Sequence, residues 1–203
     1  MMLQTDIATS SWQTAGFEPS VGAAMAAWPQ SAADFIETGG AGLYGLDLGD
    51  TAQTRDRLSV LVKVLAARGS RLEGFIQDGS AKQANGSHQD MYLMNLGSGE
   101  RVRISERRGR LARGCHLDWS VFTGLADRLT QRLDHGADYL IINRFGRAEA
   151  EGRGMTTVLE RALDAQIPAI VGVRREYREP WARFHEGLAM DVPLCDVSSA
   201  AAR

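Results

Sequence analysis

The sequence predicts an α/β fold of three layers, in which helices cover both faces of a mostly parallel sheet and one β-hairpin is inserted. From residue 42 onward, segments with the apolar pattern of strands alternate with segments that have the pattern of amphipathic helices. Two of the strand segments, 139–142 and 167–173, are apolar almost throughout, as strands buried on both faces are. The turn Gly97-Ser98-Gly99 lies between two strand patterns and is typical of a hairpin.

The first half of the alternating region begins with a predicted strand over 42–47. A helix is predicted over 54–68, because apolar side chains repeat at helical spacing and are followed by a glycine that can end the helix. Residues 71–77 have the alternation of a second strand. The hairpin strands are predicted at 91–96 and 101–105, on either side of the glycine-containing turn.

The second half repeats helix and strand in turn. Asp118 has the side chain and the position of a helix N-cap, so a helix is predicted to begin at Trp119. A glycine-rich loop that reaches Gly154 follows the next strand. The predicted elements of this half are helix 119–133, strand 138–143, helix 155–166, strand 169–173, helix 179–187 and strand 190–194.

The chain is predicted to contain one domain, residues 41–203, preceded by an N-terminal extension, residues 1–40. The extension is rich in small residues but contains four large aromatic side chains, so we expect it to pack on its own domain or on a partner chain. The first 54 residues carry six acidic side chains and no basic one. An acidic, partly apolar arm suits contact with a second copy, and the sequence leaves a homo-oligomer open.

The composition is that of a globular protein and excludes several classes. Hydrophobic residues make up 44% and charged residues 24% of the 203 residues, unlike a disordered chain. No apolar run approaches the roughly 20 residues of a membrane helix and no basic leader is present, so we expect a cytoplasmic protein with no membrane segment. The net charge of −2 argues against nucleic acid as a partner, and two cysteines are too few for a cysteine-rich metal site.

The loop after the first strand is the first candidate site, because ligands bind at the carboxyl ends of parallel strands. A phosphate-binding loop has the pattern G-x-x-x-x-G-K-[ST], whose lysine and hydroxyl contact the phosphates and Mg²⁺. Here Gly49 supplies the first glycine, but Thr54, Arg55 and Asp56 replace the second glycine, the lysine and the hydroxyl. The pattern favours an ordinary strand-to-helix turn over an altered, degenerate phosphate loop.

The loop after strand 138–143 is the second candidate. P-loop nucleotide hydrolases end the corresponding strand in an acidic residue that holds Mg²⁺. This chain has Asn143-Arg144 there, and the loop that follows contains three glycines together with Glu149, Glu151 and Arg153. Charged loops at strand ends are frequent functional sites, but the same composition also suits a surface turn with internal ion pairs. The sequence leaves both interpretations open.

The third candidate is an arginine-rich segment between the hairpin and the helix that begins at Trp119. Six arginines lie between residues 101 and 113, among them Arg108, which is followed by Gly109. Such a segment can hold a phosphate, another oxyanion or an acidic protein surface. A solvated charged face is the alternative, and it is the more common outcome for a charge run.

Two of these loops carry long motifs. They are Ile104-Ser105-x-x-Arg108-Gly109-x-x-Ala112-x-Gly114-Cys115-x-Leu117-Asp118 and Ile142-Asn143-Arg144-Phe145-Gly146-x-x-Glu149-Ala150-Glu151-Gly152-x-Gly154. With these motifs the chain resembles the bacterial domain-of-unknown-function family 2478 over about residues 41–190. The resemblance implies a layout similar to that of P-loop nucleoside triphosphatases, but with degenerate motifs. Those enzymes carry acidic residues at the positions where Asn143 and Arg144 stand here. It also implies a link to molybdenum, because some members are encoded near molybdenum-transport genes.

These features favour a non-hydrolytic binding protein on a degenerate P-loop-like scaffold, linked to molybdenum metabolism. Its partner is a small anionic ligand, either a nucleotide or an oxyanion, or another protein. In this hypothesis the arginines hold the anion, the asparagine orients it, and the glutamates pair with the arginines or with the ligand. The residues predicted to form the ligand site are Arg108, Gly109, Asn143, Arg144, Glu149, Glu151 and Arg153.

Two alternatives stay open. The first is a nucleoside-triphosphate hydrolase or transferase, in which Arg55 replaces the lysine of the phosphate loop and Glu149 or Glu151 acts as the base or as a Mg²⁺ ligand. The second is a structural subunit of a larger complex, whose acidic arm docks on a partner. The sequence assigns no catalytic residue and no resident metal, and it favours a protein that is not an enzyme.

Overall fold

The computed structural model describes residues 28–49, 56–78, 91–106 and 117–194. In these residues the strands are β1 Leu43–Asp47, β2 Leu72–Gln77, β3 Tyr92–Asn95, β4 Arg101–Arg103, β5 Tyr139–Phe145, β6 Ala169–Val173 and β7 Ala189–Asp191. The α-helices are α1 Trp28–Gly39, α2 Arg57–Ala67, α3 Trp119–Leu133, α4 Arg147–Ala150, α5 Thr156–Asp164 and α6 Arg178–His185. A 3₁₀ turn, Arg175–Tyr177, precedes α6.

The strands of the described segments form one sheet of seven, in the order β4-β3-β2-β5-β6-β1-β7. Five neighbouring strands run parallel to one another, namely β2, β5, β6, β1 and β7. The hairpin β3–β4 is antiparallel and adds to the sheet beside β2. Every residue of β6 is buried, as expected for a central strand that is covered on both faces. The predicted fold class, a mostly parallel α/β sheet with an inserted hairpin, is confirmed.

Helices cover both faces of the sheet and form two core clusters. On one face α1 and α2 pack together, and their Ile36 and Leu61 are fully buried. On the other face α3, α5 and α6 bury Leu129, Val158 and Trp181. None of the helices in the described part of the chain has the length and apolar character that a membrane crossing requires.

Helix α1 packs on the domain, although it lies within the predicted N-terminal extension. The ring of Trp28 is buried, and its Nε1 donates a hydrogen bond to the carbonyl oxygen of Pro193 at 2.7 Å. Arg68, which follows α2, pairs with Asp34 of α1 at 2.8 Å. Residues 28–39 of the predicted extension therefore pack on the domain, which is one of the two contacts expected for it, and residues 1–27 lie outside the described residues.

Helix α3 is held at both ends. Asp118 caps it, because its Oδ1 accepts a hydrogen bond from the backbone N–H of Val121 at 3.1 Å, and this bond lowers the pKa of Asp118. Near the other end, Arg132 forms two hydrogen bonds of 2.7 Å to the carboxylate of Glu73 in β2. A Cβ on Gly97 would lie 2.5 Å from both partners of this pair, so a larger residue in the hairpin turn would displace the ion pair. These contacts fix α3 against β2 and the hairpin.

Candidate ligand-binding site

A cavity of about 520 Å³ lies at the carboxyl ends of β2, β5 and β6. The hairpin, the first turn of α3, the segment 146–155 and the turn 174–177 supply its other walls. Described residues of β1 and α2 do not line the cavity. It is therefore separate from the described start of the loop between β1 and α2, in which a phosphate loop would lie. Ligands of parallel sheets bind at this edge, and a volume of roughly 300–1,000 Å³ suits a small organic molecule.

The interior of the cavity is apolar. Phe75 of β2, Leu93 of β3 and Ile142 of β5 line it from the sheet, and Met155 lines it from the segment that precedes α5. Each of these four side chains is at most 4% exposed and belongs to the core cluster beneath α3 and α5. The cavity floor is therefore a rigid extension of the hydrophobic core.

Most of the charged side chains in the cavity wall are arginines. Two glutamates line the cavity beside them, and one of these, Glu176, pairs with Arg174 at 3.2 Å. A guanidinium group is a planar, permanently charged donor that suits phosphate, carboxylate and other oxyanions. The excess of arginine over glutamate on the wall therefore favours an anionic ligand. The four arginines are Arg144, Arg147, Arg153 and Arg174.

The segment after β5 folds around the buried carboxylate of Glu149, which is 4% exposed. Its Oε2 accepts a hydrogen bond from the backbone N–H of Gly146 at 2.9 Å, and its Oε1 accepts one from that of Met155 at 3.1 Å. Gly154 has a φ of 66°, and a Cβ there would overlap Glu149 Oε1. Glu149 thus caps α4 and sets the path of the chain on which Arg147 and Arg153 lie.

Glu151 lies beside the cavity and joins two of its arginines. Its carboxylate accepts a hydrogen bond from Nε of Arg147 at 2.7 Å and also pairs with Arg153. These two guanidinium groups lower the pKa of Glu151, so the carboxylate is charged at neutral pH. An incoming anion must compete with Glu151 for both arginines.

Asn143 connects the ends of β5 and β2. Its side-chain Oδ1 accepts a hydrogen bond from the backbone N–H of Gln77 at 2.8 Å, beyond the last paired residues of the two strands, Gly74 and Ile141. Asn143 also lines the cavity. Its oxygen therefore holds β5 and β2 together. The sequence predicted that Asn143 orients a ligand and did not predict this structural role.

The structure places most of the predicted ligand-site residues of the second loop on one cavity. Asn143, Arg144, Glu149 and Arg153 line it, and Glu151 lies next to it. Sequence reasoning missed Arg174, although its place directly after β6 is a strand end of the kind that marks ligand sites. It also missed the apolar floor, whose members lie far apart in the sequence.

The remaining predicted residues belong to the first and third loops. Gly49 has a φ of 54°, and its backbone N–H donates to Oδ1 of Asp47 at 2.9 Å, so it forms a turn at the end of β1. Among the described residues, no three histidine, cysteine or acidic side chains come together in a group that could hold a metal ion. The other predicted positions, Thr54, Arg55, Arg108 and Gly109, lie outside the described residues.

Comparison with known proteins gives one family and one relative. The model of the family described as "Protein of unknown function (DUF2478)" matches residues 45–200. The molybdenum import ATP-binding protein ModC 2 of Bradyrhizobium diazoefficiens is 28% identical over 132 residues, which are 65% of this chain and 14% of that protein. No solved structure matches the chain. The resemblance to this family that was inferred from the sequence is confirmed.

Proposed function

The chain belongs to the DUF2478 family, and we propose that it binds a nucleotide or an oxyanion without hydrolysing it. The observation that carries the proposal is the cavity at the carboxyl edge of the sheet, in which four arginines line the wall above an apolar interior. The relative is named as an ATP-binding protein of molybdenum import, which supports nucleotides and molybdenum oxyanions as the ligand classes to test. The match spans only 14% of that relative, so its import activity is not carried over.

The contacts of the polar residues support binding over hydrolysis. The position that holds an acidic metal ligand in P-loop hydrolases is Asn143, whose oxygen already accepts a hydrogen bond from Gln77. Glu149 accepts two backbone hydrogen bonds in the core, and Glu151 pairs with two arginines. Each of the two carboxylates that the alternative needs as a base or as a Mg²⁺ ligand thus has a structural task.

We expect Arg144→Ala to weaken anion binding by tenfold or more, because a charge-assisted hydrogen bond contributes roughly 1.5–3 kcal/mol. The matched control is Arg161→Ala on α5, whose side chain is 40% exposed, pairs with Asp134 and does not line the cavity. The measurement is the thermal shift and calorimetric affinity with phosphate, sulfate, molybdate, ATP and GTP. Equal affinities for the two variants, or no binding of any probe to the unmodified protein, would contradict the proposal.

Glu151→Gln has the opposite expected effect. Glu151→Gln removes the carboxylate that competes with an incoming anion for Arg147 and Arg153, so the same anions should bind roughly two- to fivefold more tightly, the range of exposed ion pairs. Glu179→Gln is the control, because Glu179 forms a similar exposed pair with Arg183 on α6. Weaker anion binding to Glu151→Gln would show that Glu151 supports the ligand site, by holding the arginines in place or by contacting a bound cation.

A further inference from the structure

We infer that the natural ligand is a ring-bearing organic anion, such as a nucleoside phosphate, with its ring beside Trp119 and its charged group on the arginines. This inference rests on the proposed function and narrows it, because it excludes a bare oxyanion as the physiological ligand. The cavity has an apolar interior and a wall that carries arginines, and the ligand contacts both.

The volume of the cavity exceeds what an inorganic oxyanion fills. A tetrahedral oxyanion occupies only a few times the roughly 30 Å³ of a water molecule, whereas the cavity measures about 520 Å³. An oxyanion on the arginines would leave the apolar part of the cavity, which Phe75, Leu93 and Ile142 line, without contact to the ligand. The apolar area that a ligand can remove from water lies mainly on Trp119, which is 40% exposed, because the other three side chains are at most 4% exposed. The ligand that fits therefore adds a flat apolar part to its anionic group.

Trp119 joins the apolar and charged parts of the wall. Its ring packs edge-on against Phe122 at a centroid distance of 6.3 Å, and the guanidinium carbon of Arg153 lies 4.9 Å from its centroid. Trp119 is 40% exposed although it lines the cavity, so part of the ring is open to a ligand. A ligand ring that packs on Trp119 would bring an attached phosphate close to the guanidinium of Arg153.

The test compares phosphate ligands with and without an aromatic ring. Phenyl phosphate and AMP carry a ring, whereas methyl phosphate and inorganic phosphate do not, and calorimetry on the full chain measures all four. We expect the ring-bearing pair to bind tenfold or more tightly than the ringless pair, since stacking on an aromatic side chain is worth about one power of ten or more. Trp119→Ala should abolish this preference, and Trp119→Phe should restore most of it.

The outcomes separate this inference from the proposed function. Equal affinity for all four phosphates, still lost in Arg144→Ala, would overturn the ring-bearing ligand and leave anion binding intact. A ring preference that survives Trp119→Ala would overturn the placement beside Trp119. If none of the four binds, the ring-bearing ligand is overturned, and the proposed function fails as well when sulfate, molybdate, ATP and GTP do not bind either. Trp119 lies on the first turn of α3 and is partly exposed, so an unchanged melting temperature of the unliganded variants serves as the folding control.

Discussion

Purified protein supplied with Mg²⁺ and ATP or GTP is expected to release phosphate far more slowly than the roughly 1–100 s⁻¹ of phosphoryl-transfer enzymes. Catalysis of this reaction depends on positioned charge, which P-loop enzymes supply with a lysine and a Mg²⁺ held by an acidic residue. This chain has Arg55 in the lysine register and Asn143 at the strand end. Loss of such stabilising groups lowers the rate by about two to five powers of ten.

The measurement is phosphate release by the full chain under saturating nucleotide, with Arg144→Ala as a parallel sample. Arg144 lines the cavity and Arg55 stands in the altered phosphate loop, so a trace activity that neither Arg144→Ala nor Arg55→Ala changes comes from a contaminating hydrolase. Turnover near 1 s⁻¹ that requires Mg²⁺ and is lost in Arg55→Ala would contradict the prediction. It would favour the alternative in which the altered phosphate loop is functional.

Local patterns were sufficient for most strands and helices. The helix 119–133 and the strand 169–173 lie at their predicted bounds, because an N-cap aspartate marks the first and an apolar run rich in isoleucine and valine marks the second. Both signals are contained in the element itself or in its flanking residue. Such elements can be located without knowledge of the tertiary structure.

Elements that depend on tertiary contacts were predicted less well. α4 spans only Arg147–Ala150 between glycines, and the sequence predicts a loop there. It forms because the buried Glu149 accepts hydrogen bonds from both ends of the segment. The sequence placed α1 in the predicted extension for a related reason. Only the burial of Ile36 in the core cluster beneath α1 and α2 shows that this helix packs on the domain.

The candidate site divides in the same way. The strand-end rule led to Asn143, Arg144 and the charged segment after them, and these residues do line one cavity. The rule does not locate the apolar floor, because Leu93 and Met155 are distant in sequence and meet only through the hairpin and the path of the segment before α5. Sequence reasoning therefore located charged residues of the cavity but not its apolar interior.

Glu149→Gln is expected to destabilise the fold by about 1.5–3 kcal/mol, the range of a lost hydrogen bond to a charged group, and to lower the melting temperature by roughly 3–12 °C. The carboxylate accepts one backbone N–H on each oxygen, from Gly146 and from Met155. Glutamine keeps one acceptor, but its NH₂ group would face the other N–H donor in a site that is 4% exposed. The measurement is thermal and urea unfolding of both proteins.

Glu151→Gln is the control for this prediction. Glu151 is exposed and has only ion pairs to lose, so Glu151→Gln should change the melting temperature little. A base or a Mg²⁺ ligand at position 149 would behave differently, because Glu149→Gln would then remove activity and leave stability unchanged. If Glu149→Gln instead destabilises the fold and also weakens anion binding, Glu149 acts by shaping the segment that presents Arg147 and Arg153 to the cavity.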